Sequence, residues 1–386
     1  MAKAMRQRSV VPVAPRMRLQ MALPSRWSTP PPFPFASPST HYYYLARNAL
    51  YALAKTWSLA DQEILFPAYC HGIEIETLHA AGVKLRFYPV SGDMCVDVDD
   101  IRDRLTPETR AVYLIHYLGF PGPVQEVAEL CQSRGLLLIE DCALALLSKA
   151  GGIPLGSFGD AAIFCLYKTL PVPHGGALAL RRIGLSALPK LKAPTFASTM
   201  AYAATALQRD LNFETGGAIH KIASQLRNLA RSKSQSLGVA QVGTNHLNPA
   251  DLDLAMSGMC RWILAAQHFD EIVARRRSNY LYLLERLREF SPPVFEELPP
   301  SVCPLFYPLR DRNKLTLMER LRQNGIETVN FWSEIPPGTP QGTYPDVDEL
   351  RRTIIELPCH QDLTPEEMKR IADTVAASVI CDVPAA

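Results

Sequence analysis

Between Tyr42 and Leu180 the sequence alternates short apolar segments with segments of helical apolar spacing. The apolar segments have the length and the β-branched and aromatic content of strands that are buried on both faces. Several helical segments end at a glycine, as at Gly82 and Gly135, which is common just after a helix C-terminus. This alternation predicts an α/β fold with a mainly parallel sheet covered by helices. The predicted strands are 63–66, 85–89, 111–115, 136–140, 161–166 and 177–180, and the helices are 48–59, 70–81, 98–105 and 124–134.

Polar residues follow several of the predicted strands directly. They are Tyr69, His71, His116, Asp141 and Lys168. In open α/β sheets, function gathers at the carboxyl ends of the strands. The sequence therefore predicts a site at this edge of the sheet.

Composition excludes several classes of protein. The chain has 386 residues, 47% of them hydrophobic and 20% charged, which is ordinary for a globular protein of two or three units. The net charge of +2 and the lack of a dense Lys/Arg run argue against nucleic acid as a partner. Nine scattered cysteines without a CxxC motif favour a reduced, cytoplasmic location. No apolar run is long enough to predict a membrane span.

The N-terminal segment 1–40 is rich in proline and basic. The first 44 residues contain six Lys/Arg and no acid, and prolines interrupt any helix. We predict a partly disordered or extended arm. It could also cross to a partner subunit or contact an anionic surface.

The remaining chain predicts two domains, a large one at 41–250 and a smaller C-terminal one at 251–386. The large domain ends in a basic insert at 181–250, which holds nine Lys/Arg and two acids. Such a charge suits an anionic substrate or a solvated helical face equally. In the small domain we predict a long helix at 255–290 that could be broken, helices at 314–324 and 365–378, and strands at 305–309 and 328–331.

Lys168 and Asp141 are the strongest candidates for chemistry. A lysine just past a strand can form a Schiff base with pyridoxal 5′-phosphate and then carry protons. An aspartate just past another strand can keep the pyridinium nitrogen of that cofactor protonated. A solvated loop lysine and a helix N-capping aspartate are the alternatives.

The segments that carry these residues resemble the DegT/StrS family of pyridoxal-phosphate sugar aminotransferases. The similar segments are Ile-Glu-Asp at 139–141, Gly-Ser-Phe-Gly-Asp at 156–160, Phe-Pro-Ala-Tyr at 66–69, residues 110–119 and residues 357–364. Together they extend over about 45–180 and 255–375. The resemblance implies a fold-type I transferase, a homodimer, a Schiff base on Lys168 and a ring contact from Asp141.

The resemblance also implies roles for further residues. His71 falls where family members place a side chain that stacks on the cofactor ring. Arg47 and Asn48 open the first helix, where the family binds the phosphate, and Cys165 replaces a serine. A partner subunit would donate Asn245 or Asn248. Tyr69, His116 and Trp332 are candidates for the substrate pocket, whereas His360 is expected to be structural.

Several functions follow from these motifs. The leading one is transfer of an amino group from glutamate or glutamine to a keto group of a sugar, sugar nucleotide or cyclitol, without a metal. A sugar dehydratase of the same fold is an alternative, but family dehydratases carry histidine in place of Lys168. A binding or regulatory protein that has lost catalysis is another, since Leu144 and Cys165 depart from the family pattern. A protein that binds to membrane surfaces is the third alternative.

Overall fold

The computed structural model describes residues 10–18, 21, 23–181, 187–196, 198–200 and 247–380. Its main feature is a seven-stranded sheet. In spatial order the strands are β1 (Thr40–Tyr43), β9 (Gly176–Leu180), β8 (Ala161–Cys165), β5 (Leu137–Asp141), β4 (Thr109–Ile115), β2 (Glu63–Pro67) and β3 (Lys84–Tyr88). The five strands from β8 to β3 run parallel, whereas β9 is antiparallel to both β8 and β1. The predicted mainly parallel sheet is confirmed, and all six predicted strands belong to it.

Helices connect these strands. They are α1 (Ala46–Thr56), α2 (Ile73–Ala80), α3 (Val98–Asp103), α4 (Val124–Arg134) and the single turn α5 (Leu166–Thr169). Each of the four predicted helices is present. Because α5 follows β8 without a loop, Lys168 lies in a short helical turn instead of the expected loop.

Two elements of the large sheet region could not be expected from periodicity. Strand β1 lies beside the proline-rich segment and is stabilised by pairing with β9, from Thr40 opposite Ala179 to Tyr43 opposite Gly176. A small antiparallel hairpin, β6 (Lys149–Ala150) with β7 (Ile153–Pro154), precedes the Gly-Ser-Phe-Gly-Asp segment. Tertiary pairing, which single-sequence patterns do not report, forms both.

The C-terminal part contains a second sheet of three antiparallel strands in the order β10, β12, β11. Its elements are α6 (Gly258–Ala265), α7 (Phe269–Leu287), β10 (Phe306–Arg310), α8 (Lys314–Gln323), β11 (Val329–Asn330), α9 (Pro345–Thr353), β12 (Ile354–Pro358) and α10 (Pro365–Ile380). The helix predicted at 255–290 is thus two helices, and α9 and β12 were not predicted.

The central strand β12 contributes to two apolar cores. Ile355 and Leu357 pack in the core of the C-terminal part, whereas Ile354 packs in the larger core around the seven-stranded sheet. This follows from the two-residue alternation of side chains along a strand. Glu356 therefore points from the same face as Ile354, toward the large sheet, and it is only 3% exposed.

The described part of the N-terminal arm is extended and packs on its own chain. Val11 is fully buried and forms a parallel bridge with Ile326. The Pro12 carbonyl lies 2.9 Å from Nε2 of His360, which is buried and structural in this arrangement, as expected. Most of the basic insert, including Asn245, lies outside the described residues. Among the residues that the structure describes, no helix combines the length and the apolar character needed to span a membrane.

Candidate active site

Adjacent parallel strands bring Asp141 and Lys168 to one edge of the large sheet. Asp141 is the last residue of β5 and pairs with Ile163 of β8. Lys168 follows β8 within α5. Both side chains line the same cavity. The carboxyl ends of neighbouring strands thus place a carboxylate and an amine around one space, as the strand pattern predicted.

Five of the predicted site residues line this cavity, namely Arg47, His71, Asp141, Cys165 and Lys168. Its wall also includes polar residues that the sequence reasoning missed, namely Glu74, Tyr113 and Tyr167. Tyr113 could have been found from the strand register. It lies on the neighbouring strand β4, two residues before Ile115, which pairs with Asp141. Glu74 follows His71 by three residues, but the left-handed turn at Gly72 separates the two, so helical spacing did not reveal it.

Asp141 is held by two hydrogen bonds. The backbone N–H of Ala143 donates to Oδ1 over 2.8 Å, and the Tyr113 hydroxyl donates to Oδ2 over 2.7 Å. Burial raises the pKa of Asp141 to about 6, and the nearby carboxyl of Glu74 acts in the same direction, while these hydrogen bonds oppose the change. The side chain is therefore ionised at neutral pH and fixed in orientation.

His71 contributes an imidazole ring to the cavity wall. Burial lowers the pKa of His71 to about 4, and the positive charges of Lys168 and Arg47 act in the same direction. The ring is neutral at pH 7. Its Nδ1 is buried without a hydrogen-bond partner, which is costly unless a ligand supplies one.

The N-terminus of α1 opens into the same cavity at Ala46 and Arg47. Its capping residue, Leu45, makes no side-chain hydrogen bond to the first turn. A Cβ atom at Gly176 would lie 2.4 Å from the backbone nitrogen of Ala46, so glycine is required where β9 passes this helix start. An uncapped helix N-terminus beside an arginine is a favourable place for a phosphate.

Four predicted residues do not line the cavity. The Asn48 side chain donates to the carbonyl oxygen of Asp251. Tyr69 is fully buried, with its ring against Trp332 at 5.2 Å and the Arg351 guanidinium 5.3 Å from its centroid. Trp332 is 9% exposed and stacks on Phe331. These positions give no support to direct contact of these side chains with a molecule bound in the cavity.

His116 is the fourth predicted residue that does not line the cavity. Its ring forms a hydrogen bond with Glu140 instead. The backbone N–H of Gly122 donates to its Nδ1 over 3.1 Å, which leaves Nε2 to donate to Glu140 over 3.2 Å. Glu140 also accepts the backbone N–H groups of Gly156, Phe158 and Gly159. The turn at 156–160 therefore wraps a buried carboxylate. Although Cys142 lies near this pair, four donors already satisfy the carboxylate, so the cluster is a structural hydrogen-bonding site.

The Asn248 side chain caps a short 3₁₀ turn, Pro249–Asp251. Its Oδ1 accepts from Ala250 over 3.2 Å, and its Nδ2 donates to Asp251 over 2.8 Å. The residue is exposed. Donation of Asn248 to a partner subunit stays a prediction.

Comparison with solved structures identifies the class of fold. AtS13 from Actinomadura melliaura has a TM-score of 0.65 at 16% identity, covering 96% of this chain and 99% of that one. With its mostly parallel sheet, flanking helices and second small sheet, the chain has the fold-type I architecture of pyridoxal-phosphate transferases.

The chain belongs to the DegT/DnrJ/EryC1/StrS aminotransferase family, whose model matches residues 48–182 and 215–376. Members of this family use pyridoxal phosphate. GDP-perosamine synthase from Vibrio cholerae is 31% identical over 117 residues, 30% of this chain and 32% of the relative. The dTDP-4-dehydro-2,3,6-trideoxy-D-glucose 4-aminotransferase of Saccharopolyspora spinosa is 44% identical over 81 residues, 20% of this chain and 21% of the relative. The matched segments thus span between a fifth and a third of these curated relatives.

Proposed function

We propose that this chain is a pyridoxal-phosphate-dependent aminotransferase. It moves an amino group from an amino acid, glutamate or glutamine, to a keto group of a sugar, sugar nucleotide or cyclitol. The observation that carries the proposal is the shared cavity of Lys168 and Asp141 in a chain of an aminotransferase family. The names of the relatives support a nucleotide-linked sugar as the acceptor.

The residues present fit pyridoxal phosphate. The cavity offers an amine for the aldehyde, a fixed carboxylate for the ring nitrogen and an uncapped helix start with an arginine for the phosphate. The unpartnered Nδ1 of His71 is a buried polar atom on the cavity wall, to which a bound molecule would bring a hydrogen-bond partner. When bound, pyridoxal phosphate would supply the carbonyl that takes up the amino group and the electron-accepting ring.

Each of these residues has a distinct task. Lys168 provides the nucleophilic amine and afterwards holds and returns a proton at its Nζ. Asp141, oriented by Ala143 and Tyr113, keeps a negative charge opposite the ring nitrogen. The neutral imidazole of His71 would offer a flat surface to the ring, and the start of α1 with Arg47 would hold the phosphate.

The reaction has two halves, in which the amino donor and the keto acceptor use the same cavity in turn. We propose a homodimer in the cytoplasm, with Asn245 or Asn248 given to the partner's site. The basic insert at 181–250 would attract an anionic acceptor.

The test uses the purified full chain. Added pyridoxal phosphate should give a visible absorption band that borohydride removes, and mass spectrometry should then find the cofactor on Lys168. Lys168→Ala should give no such band. Transfer of label from [α-15N]glutamate or [α-15N]glutamine to a panel of keto sugars, with and without a nucleotide, identifies the acceptor. Absence of the band and of labelled product from the parent chain would refute the proposal.

A further inference from the structure

A second carboxyl group, that of Glu74, lines the cavity together with Lys168 and Asp141. Glu74 lies in the first turn of α2, whose N-cap residue is Gly72. Its Oε2 accepts a hydrogen bond from the backbone N–H of Gly72 over 3.1 Å. This bond folds the side chain back toward the start of the helix. The proposed function gives tasks to Lys168, Asp141, His71 and Arg47, but none to the Glu74 carboxyl.

The local backbone fixes Glu74 in this position. Gly72 has φ = 104°, a left-handed conformation that favours glycine. A Cβ atom at this residue would lie 2.7 Å from Cβ of Pro336. The tight turn places His71 and the first turn of α2 side by side on the cavity wall. The backbone that carries Glu74 is thus set by two constraints at Gly72 that do not depend on the charge of the carboxyl.

The charges around Glu74 come from several elements. Lys168 of α5 is the main opposite charge, and Arg47 of α1 is the second. The acidic or weakly acidic neighbours are Asp141, Tyr113, Tyr167 and Cys70. Lys168 thus faces two carboxyl groups in one cavity, one of which, Asp141, is already engaged by Tyr113 and Ala143. Glu356 of β12 also interacts with the charge of Lys168, but it does not line the cavity, so Glu74 is the lining carboxyl that remains for the amine.

An amine and a carboxyl in the same cavity can exchange a proton without changing the total charge. The pair can exist as ammonium and carboxylate or as neutral amine and carboxylic acid. Burial raises the pKa of Glu74 above its ordinary value, while the charge of Lys168 acts in the opposite direction. An amine must be neutral to attack a carbonyl carbon. A nearby proton acceptor removes the need to send that proton to solvent.

We propose that Glu74 is a positioning residue for Lys168, which holds the amine in the cavity and takes its proton when the amine must be neutral. This inference rests on the proposed function, because it gives Lys168 the task of the nucleophile. It adds a residue for which no role has been assigned. The proton moves from Lys168 Nζ to a Glu74 carboxylate oxygen and returns by the same route, so atoms and charge balance.

The first measurement needs no cofactor. Lysine labelling by trinitrobenzenesulfonate is followed at Lys168 by mass spectrometry as a function of pH. In Glu74→Gln and Glu74→Thr, loss of the negative charge should shift the midpoint of labelling by one pH unit or more to lower pH. Glu74→Asp, which keeps the charge, should stay within about half a unit of the parent, a free-energy difference near 0.7 kcal/mol.

The matched control is Glu76→Gln. Glu76 lies on the same helix, two residues further on, and its Oε1 accepts from the backbone N–H of Leu247 outside the cavity. This variant should label like the parent. If Glu74→Gln does not fold, Glu74→Thr provides the neutral side chain at the same site. Parent-like labelling of a folded neutral variant would overturn the inference.

The second measurement separates this inference from the proposed function. The visible band formed with pyridoxal phosphate is titrated with pH in the parent and in the variants. A band in the parent with a midpoint moved by at least one unit in Glu74→Gln supports both proposals. A band whose midpoint is the same in both proteins refutes the role of Glu74 alone. No band in the parent refutes the proposed function, and the labelling experiment then still decides whether Glu74 acts on Lys168.

Discussion

The guanidinium of Arg276 donates a hydrogen bond over 3.0 Å to the carbonyl oxygen of Thr169, the residue after Lys168. Gln361 donates to the same oxygen over 3.1 Å. Arg276 also donates to the carbonyl oxygens of Pro304 and Leu305 and to the side chain of Gln361. A single buried side chain therefore ties the turn that carries the candidate nucleophile to the C-terminal part of the chain.

Replacement of Arg276 by methionine should destabilise the protein and loosen the Lys168 turn. The change removes the Arg276 donor from the carbonyl oxygens of Pro304 and Leu305 and from the side-chain oxygen of Gln361, whereas Thr169 keeps its bond from Gln361. Each buried group left unsatisfied costs about 1–3 kcal/mol. We expect a loss of at least about 3 kcal/mol in the free energy of unfolding, measured by urea denaturation. Arg286→Ala, at an exposed position of the same helix, should change stability by about 0.5 kcal/mol or less. Equal stability of the two variants would contradict this account of Arg276.

Asp141 should make cofactor binding depend on pH. Its pKa of about 6 means that the carboxylate is lost as the pH falls through 6. The affinity for pyridoxal phosphate should decline over that range in the parent. A hydrogen bond to a charged group contributes about 1.5–3 kcal/mol, so Asp141→Asn should bind about ten- to a hundredfold more weakly at pH 7.5.

Pyridoxal phosphate itself titrates over this pH range, and this affects binding to the parent and to Asp141→Asn equally. The ratio of the parent's affinity to that of Asp141→Asn therefore reports on Asp141 alone. We expect this ratio, from absorbance titrations, to fall toward one below pH 5.5. Asp103→Asn, an exposed change on α3, serves as the control. A ratio that does not vary with pH would show that Asp141 does not supply the charge.

The sequence predicted the site as far as strand order and strand ends determine it. Asp141 and Lys168 meet because β5 and β8 are parallel neighbours, and apolar periodicity reports both strands. His71 reaches the cavity for the same reason. Strands β1 and β12, by contrast, are stabilised by partners distant in sequence, so no local pattern identifies them.

Residues at the correct edge of the sheet did not all reach the cavity. His116 directly follows β4, and Asp141 ends the neighbouring strand β5, but the His116 ring turns toward Glu140. The turn after it contains Leu118 with φ = 54°, a left-handed conformation that the sequence does not reveal. The direction of a side chain after a strand depends on such turns, whereas the position of the strand end does not. The sequence therefore predicted which residues lie at the strand ends, but it did not predict the direction of their side chains.

Glu140 provides a test of the structural role assigned to the turn at 156–160. Its two carboxylate oxygens accept three backbone N–H groups and the His116 ring. Glu140→Gln replaces one of these oxygens by an amide N–H₂, which faces donors. Because buried donors are then left unpaired, we expect a loss of about 2–4 kcal/mol in the free energy of unfolding. The exposed Glu129→Gln on α4 is the control, and no difference between the two would contradict the assignment.

Glu356 should make the protein less stable as the pH rises. Burial raises the pKa of this β12 side chain from 4.5 to about 8, although Lys168 lowers it, and its Oε1 has no hydrogen-bond partner. The folded protein therefore binds a proton at Glu356 that the unfolded chain releases above its ordinary pKa. By linkage, this proton stabilises the folded state fully below pH 4.5, and the stabilisation is lost as the pH rises through about 8.

Glu356→Gln keeps the shape of the side chain but does not titrate. Since one pKa unit corresponds to about 1.4 kcal/mol, the variant should gain about 2 kcal/mol or more over the parent between pH 5 and pH 8.5. The measurement is urea denaturation at the two pH values, with Glu349→Gln at the surface of α9 as the control. At pH 5 the parent and Glu356→Gln should be close in stability, because both side chains are then neutral in the folded state. A stability difference that is the same at both pH values would show that Glu356 is already ionised in the folded protein, with Lys168 as its counter-charge.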